Sequence, residues 1–370
     1  MSLPARLGRL VDAAIADEAP GPPQRILRGL LTLLGAGYGV GMRLRNAAYD
    51  RGLLPVRRLP CRVICVGNLT VGGTGKTPTV AWLAGALREA GCRVAVVLRG
   101  YGGAGGVRVA SDGAGSREDW RLVGDEAALL AARLPGVPVV TGADRHAAGR
   151  LALERFLAQT IVLDDGFQHR RLHRDLDLVL VDATDPFGGG RLLPRGRLRE
   201  RVEGLCRAHG MVVTRAAEAE VEPVRRALER LAPGRPVGWT THRATALVEL
   251  STGRTVPLGA LAGARVLGVA GIARPRSFRR TLAGLGAQTV ECLIFPDHHP
   301  YGEPDRGAIG RAARQGGVEA LVTTEKDAVR LGSCLPVGLP AFAVRIDLEW
   351  LGGSERLLPL LGVTAGGRHG

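Results

Sequence analysis

The run Val66-Gly67-Asn68-Leu69-Thr70-Val71-Gly72-Gly73-Thr74-Gly75-Lys76-Thr77-Pro78 constrains this chain more than any other feature. An apolar strand over residues 63–66 leads into it, and a helix over residues 76–89 is expected to leave it. Gly72, Gly73 and Gly75 let backbone N–H groups turn inward around phosphate oxygens. The helix beginning near Lys76 points its positive end at the same place. In such a loop Lys76 reaches the β- and γ-phosphates of a nucleotide, and the Thr77 hydroxyl is placed for Mg²⁺. Thr70, Val71 and Thr74 complete the cradle, with Thr70 standing where the usual pattern has its first glycine.

The same strand–loop–helix rhythm continues downstream. Apolar strands are expected at residues 93–98, 137–140, 160–163, 176–181 and 211–213, with amphipathic helices at 125–133, 145–157 and 217–231. Buried strands alternating with helices imply an α/β fold with a parallel sheet covered on both faces. Residues 103–116 are glycine-rich and read as a mobile loop. The expected organisation is an N-terminal helical segment over residues 1–50 and a phosphate-loop domain over 51–238. A connecting segment over 239–258 then leads to a smaller α/β domain over 259–363, and a disordered tail covers 364–370.

Two further features concern partners and compartment. The net charge of +15 favours an anionic partner. Aromatic residues make up only 4% of the chain, and no helix-turn-helix, zinc-finger or aromatic RNA-binding signature occurs, which argues against nucleic acid. Residues 26–49 alternate apolar stretches with Arg28, Arg43 and Arg45. The uncharged run from Gly29 to Met42 is shorter than the about 20 residues that span a bilayer. It suits an interfacial helix with arginines at anionic headgroups, or a helix packed on the protein's own core. Six scattered cysteines read as reduced thiols. Of the 50 basic residues 48 are arginine; the two lysines, Lys76 and Lys326, stand out as places where a compact point charge is retained.

Asp164 and Asp165 end an apolar strand, the position of a Walker-B-type carboxylate that holds Mg²⁺ directly or through water. Asp125 opens a helix after Gly124, where it either caps the helix or takes a proton from an acceptor hydroxyl. Asp297-His298-His299 follows an apolar strand; no suitably spaced Cys or third His supports the two histidines as metal ligands, and a histidine there can instead pair with an acidic base across a cleft and tune it. Arg99-Gly100-Tyr101, Arg145 and residues 191–200 are candidates for gripping an anionic acceptor.

These pieces together resemble the tetraacyldisaccharide 4′-kinase family, the lipid A 4′-kinases. The resemblance rests on Val66-Gly67-Asn68 with Gly72 to Pro78, Arg99-Gly100-Tyr101-Gly102 and Val123-Gly124-Asp125-Glu126. It continues through Asp144-Arg145, Asp164-Asp165-Gly166-Phe167-Gln168-His169, Leu192-Leu193-Pro194 with Leu198-Arg199-Glu200, Phe295-Pro296-Asp297-His298 and Thr324-Glu325-Lys326-Asp327-Ala328. The resemblance implies a P-loop NTPase-like parallel-sheet domain, a second, smaller α/β domain and an N-terminal membrane-associated helix. It implies a kinase that uses ATP and Mg²⁺ to phosphorylate the 4′-hydroxyl of a lipid A disaccharide 1-phosphate, peripherally or monotopically bound at the cytoplasmic face of the inner membrane and needing no obligate protein partner. By the same likeness Asp125 is the catalytic base and His298 its partner. Lys76 and Arg199 serve catalysis, Thr77, Asp164 and Asp165 the metal, and Arg99, Gly100, Tyr101, Arg145 and Glu200 the substrate. The chain departs from the pattern at Gly188-Gly189-Gly190, where Gly-Asn-Gly is expected, and at Arg195 and Arg197, where small or apolar residues are more familiar.

Because Asp125 and His298 fall in different expected domains, a cleft that closes on ATP and substrate is expected to unite them. The rival reading of the phosphate loop is a P-loop NTPase switch or metallochaperone, which would hydrolyse nucleotide without a lipid acceptor.

Overall fold

A computed structural model of the chain describes residues 22–115, 117–272, 275–336 and 338–363. The first 21 residues of the helical segment and the tail expected to be disordered lie outside the described residues. In chain order the elements are α1 (Pro22–Asp50), β1 (Arg62–Asn68), α2 (Lys76–Glu89), β2 (Val94–Leu98), β3 (Arg108–Ser111), α3 (Trp120–Val123), α4 (Asp125–Arg133), β4 (Val139–Thr141), α5 (Arg145–Phe156), β5 (Thr160–Asp164), β6 (Leu176–Asp182) and β7 (Gly210–Thr214). They continue with α6 (Glu222–Leu231), β8 (Val237–Glu249), β9 (Thr255–Val256), β10 (Arg265–Ala270), α7 (Pro275–Gly284), β11 (Gln288–Ile294), α8 (Glu303–Gly316), β12 (Ala320–Thr324), α9 (Glu325–Leu331), β13 (Ala341–Gly352) and α10 (Ser354–Leu361).

The chain forms two compact units, each assembled from separated segments. Residues 1–76, 163–241 and 350–370 make the first; residues 77–162 and 242–349 make the second.

In the first unit β6 lies between β1 and β7 with all pairings parallel, in register Ile64 with Leu176 and Leu178 with Gly210. β7 continues in parallel onto the start of β8, Met211 facing Val237. These strands are buried along nearly their whole length, which matches their near-continuous apolar sequence, interrupted in β6 by the buried Asp177. Gly67 is required where β1 meets the following segment. A Cβ there would lie 2.6 Å from Phe167 Cβ and 3.0 Å from the Phe167 backbone nitrogen. Gly67→Ala should therefore lower stability by about 1–3 kcal/mol in urea unfolding; an unchanged midpoint would mean that the strand shifts freely.

In the second unit β2 and β4 pair in parallel, and β3 pairs antiparallel to β4. β3 lies within the stretch expected to be a mobile glycine loop; Val109 and Ala110 carry the strand between glycines on either side. β10 lies between β11 and β12, and β12 pairs with β13, all parallel. Period-two alternation sorts the side chains of β10 and β12 onto two cores. Val266, Ala270, Ala320 and Val322 pack with Phe278 and Leu282 of α7. Leu267, Val269 and Leu321 pack with Ile309 and Ala312 of α8 and Leu331 of α9. The expected connecting segment over residues 239–258 is instead largely the 13-residue strand β8, with β9 paired antiparallel to its end. Its half-buried alternation of polar and apolar residues lacks the continuous apolar run of the other strands. Finally, α9 packs on α4 in this unit, with Glu325 of α9 3.4 Å from Arg133 of α4.

Candidate active site

The phosphate loop follows β1 as the sequence implies. Its carbonyls are drawn outward by side chains of the first unit. Arg197 Nη2 donates to Val71 O at 3.2 Å, Arg215 Nη2 to Gly73 O at 2.8 Å, and Thr214 Oγ1 to Thr74 O at 2.9 Å. A loop whose carbonyls are anchored this way turns its N–H edge toward an anion. Gly72 and Gly75 hold φ of 112° and 84°, the left-handed side that only glycine takes without strain. The fully buried Asn68 amide donates to Thr70 O at 2.7 Å and Thr74 Oγ1 at 2.9 Å, bracing the loop from beneath. Arg197, a departure from the family pattern, also pairs with Asp185 at 3.0 Å and so works as a prop of this loop.

Lys76 Nζ lies 3.3 Å from Asn68 Oδ1 and 3.6 Å from Asp165 Oδ1. Arg199 Nη1 donates to both Asp165 oxygens, at 2.7 and 2.8 Å. Asp165 N donates to Val66 O at 2.9 Å, which places the end of β5 beside the end of β1. Asp165 holds φ of 52°, a left-handed conformation uncommon for a non-glycine residue and characteristic of functional sites. Asp164 is 2% exposed at the strand end. Lys76, Asp165 and Arg199 are thus one charge cluster around the loop.

Glu200 is also buried, and its carboxylate accepts from Asn46 and Gln168, both at 3.0 Å, and from Arg207 at 2.7 Å. It joins α1 to the Gln168 segment, whose side chain also donates to Asn68 O at 3.0 Å. Tyr38 of α1 donates to Arg199 O at 2.6 Å, and Arg45 to Gln168 O at 2.6 Å. The core-packed reading of α1 therefore holds on one face, and the opposite face is exposed. Leu31, Gly35, Gly39 and Tyr49 are buried, while Ile26, Leu30, Leu33, Leu34, Val40 and Leu44 are 52–78% exposed. Arg45 belongs to the packed face. Between α1 and the 187–203 segment opens a cavity of about 500 Å³, lined by Gly35, Phe187, Leu192, Arg195 and Arg201 among others.

The second unit brings Asp125 and His298 together. His298 Nδ1 lies 2.9 Å from Asp125 Oδ2, across 173 residues of sequence. The expectation of a closing cleft loses its premise here, because both residues belong to the same compact unit and already touch. Asp125 is 6% exposed and the His298 ring 51%. Burial alone would push the Asp125 carboxyl up; the hydrogen bond from His298 and the charges of His298, Lys326 and Arg330 outweigh it and hold the carboxyl below its ordinary value. The Asp125 hydrogen bond raises the His298 pKa, against the opposing effects of burial and Lys326. His298 holds φ of 59°, a left-handed backbone uncommon for a non-glycine residue.

The Arg99-Gly100-Tyr101 turn sits beside Asp125. Ala104 N donates to Leu122 O at 2.9 Å, and a Cβ on Gly100 would meet Thr141 Cβ at 2.9 Å and Val123 O at 3.1 Å. Arg99 donates to Tyr101 Oη at 2.6 Å. Arg145 is buried, with Nη1 on the carbonyls of Gly142 and Ala143 at 3.2 and 3.1 Å.

Sequence reasoning passed over several residues of this machinery. Arg330, 1% exposed, lies with Nε 3.6 Å from Asp125 and Nη2 2.6 Å from Asp327. As one arginine among 48 it carries no signal of its own. Arg215 bridges Gly73 O and Asp182 with a left-handed φ of 54°, also silent in sequence. Lys326 stands out in sequence through the scarcity of lysine and within the run Thr324 to Ala328, but neither assigns it a role.

The donors present suit Mg²⁺. Among the described residues no three His, Cys, Asp or Glu side chains converge as a cage. The Asp164 and Asp165 carboxylates at the end of β5 are hard-oxygen donors of the kind that Mg²⁺ supplements with water and phosphate oxygens.

Residues 27–361 match the family described as tetraacyldisaccharide-1-P 4′-kinase. The tetraacyldisaccharide 4′-kinase of Syntrophus aciditrophicus is 44% identical over 345 residues, 90% of this chain and 92% of that protein. That of Anaeromyxobacter dehalogenans is 46% identical over 347 residues, 92% of this chain and 91% of that protein. The crystal structure of LpxK from Aquifex aeolicus in complex with ATP superposes with a TM-score of 0.74 at 32% identity, covering 91% of this chain and 98% of that one. Phosphate loop, strand-end carboxylates and Asp–His pair stand in a chain matched over nearly its whole length, and this chain belongs to the tetraacyldisaccharide 4′-kinase family.

Proposed function

We propose that this chain transfers the γ-phosphoryl group of ATP to the 4′-hydroxyl of a tetraacylated glucosamine disaccharide 1-phosphate, giving the bis-phosphorylated lipid and ADP. The observation that carries the reading is the Asp125–His298 pair. A nucleotide-driven switch or metallochaperone needs the phosphate loop but has no use for a carboxylate held ionised by a histidine. A kinase needs both, since an alcohol must lose its proton as it attacks.

Lys76 and the loop N–H groups bind the β- and γ-phosphates, and Arg199 steadies Asp165 beside Lys76. Thr77, Asp164 and Asp165 would hold Mg²⁺, which when bound neutralises charge on the bridging phosphates. Asp125 accepts the hydroxyl proton, and Arg99, Tyr101 and Arg145 of the same unit receive the anionic disaccharide. The decisive assay incubates the purified protein with labelled ATP and the tetraacyl disaccharide 1-phosphate in mixed micelles. The reading requires a labelled bis-phosphorylated lipid; ATP turnover indifferent to the lipid would support the switch instead.

The exposed stripe of α1 supports a peripheral or monotopic seat on an anionic bilayer, at the cytoplasmic face of the inner membrane. Among the described residues no helix is long and apolar enough to cross a membrane. The six exposed apolar side chains lie at helical spacing on one face, opposite the face that holds Tyr38 and Asn46 against Arg199 and Glu200. The cavity beside Gly35 and Leu192 opens along the same helix and suits part of the lipid acceptor. Charging the stripe with Leu30→Glu, Leu33→Glu and Leu34→Glu together should reduce binding to anionic vesicles about tenfold or more. ATP affinity should be unchanged. Equal sedimentation of variant and parent with vesicles would remove α1 from this role.

A further inference from the structure

We infer that Lys326 is a positioning residue that holds His298 in its Nδ1–H tautomer, so that His298 donates to Asp125 and stays neutral while Asp125 takes the acceptor's proton. The inference rests on Asp125 being the base. Lys326 Nζ lies 3.1 Å from His298 Nε2 and 2.9 Å from Asp297 Oδ1. An ammonium group has donors and no acceptor. The nitrogen facing it must therefore offer its lone pair, and the single proton of a neutral ring falls on Nδ1, 2.9 Å from Asp125 Oδ2. The other tautomer would set donor against donor at Nε2 and lone pair against carboxylate at Nδ1. A cation at this distance also opposes a second proton on the ring.

The charged groups facing His298 are few. Asp125 comes from the start of α4, Lys326 from α9, and Asp297 from its own loop, 4.0 Å from Nε2. Asp297 accepts from Lys326, so its charge is shared with the ammonium. Arg330, one turn after Lys326 on α9, reaches Asp125 from the buried side.

α9 is itself fixed. Thr324 caps it and bonds Asp327 Oδ2 at 2.6 Å, and the fully buried Asp327 accepts from Tyr301 at 3.0 Å and Arg330 at 2.6 Å. This gives a physical reason for lysine in a chain that otherwise uses arginine. A compact ammonium fits between Nε2 and Asp297, whereas a planar fork spreads its five donors over a wider arc.

The test begins with the parent protein. The ¹⁵N shifts of the His298 ring, assigned by their loss in His298→Gln, should show Nδ1 protonated and Nε2 bare; an Nε2–H ring overturns the inference whatever any variant does. Lys326→Met should then move the His298 titration, and with it the acid limb of kcat/KM, upward by about one pH unit. It should lower kcat about 10- to 100-fold with KM for ATP within about twofold. Lys326→Arg keeps the charge and should return the limb to its parent position. An unmoved His298 titration in Lys326→Met, or equal slowing in both variants with an unmoved limb, would reduce Lys326 to structural support. An active Asp125→Asn enzyme would sink the base while leaving the tautomer measurement intact, so the two failures are separable.

Discussion

Asp125→Asn should lower kcat by about three to four orders of magnitude while leaving the Kd for ATP within about twofold. The amide keeps the size of the side chain but has no basicity. Asp125 is buried, and its neighbours His298, Lys326 and Arg330 are cations or hydrogen-bond donors. That setting keeps the carboxylate ionised, because burial would favour the acid and those partners override it. The fold should survive, since the substituted amide adds no buried charge. Arg330 retains Asp327 and the Gly271 carbonyl as partners.

Asp125 titrates below the ordinary carboxylate range, so its own protonation weakens the enzyme only at distinctly acid pH. His298 titrates above its ordinary value. As pH falls through that point, the ring becomes an imidazolium, Asp125 becomes part of an ion pair, and its basicity drops. The rate therefore rises with pH through the His298 transition. His298→Gln should erase that limb and retain more activity than Asp125→Asn. A kcat for Asp125→Asn within tenfold of the parent would take Asp125 out of proton transfer.

The phosphate-loop cluster of the first unit is legible in sequence because it is local. The end of a buried strand, four glycines, a lysine and the start of a helix lie within thirteen residues, and each residue type has one physical reason to be there. Asp164 and Asp165 are legible for the same reason, as polar residues closing an apolar strand. The Asp125–His298 cluster of the second unit is not local. Asp125 and His298 meet across 173 residues because β10, β12 and α9 deliver the 297–298 turn and Lys326 to α4. No periodicity encodes that packing, and the alternating polar residues of β8 disguised a 13-residue strand as a linker. Arg215 and Arg330 are hidden differently. In a chain with 48 arginines the few that hold the phosphate loop or the base are indistinguishable in sequence from the surface ones, because only packing between distant segments sets them apart.

Lysine scarcity leads to the second large effect. Lys76→Met should reduce kcat/KM for ATP by about a thousandfold, with most of the loss in kcat. Lys76 holds a cation at the mouth of a loop whose other contributions are backbone dipoles. That charge matters most as negative charge builds between the departing ADP and the transferring phosphoryl. Asn68 at 3.3 Å and Asp165 at 3.6 Å hold the ammonium ready without neutralising it fully, since Asp165 is shared with Arg199. The shared partner also makes the variant stable. Without Lys76, Asp165 retains both contacts to Arg199, so Tm should stay within a few degrees and the kinetic loss is not a folding loss. Lys76→Arg gives the sharper contrast. It keeps the charge in a chain that accepts arginine almost everywhere else, yet its planar head must fit the space set by Asn68 and Asp165. It should recover less than about tenfold of the loss. Full recovery would show that any cation suffices there, and the retention of a lysine at position 76 would then have no explanation in the geometry of the loop.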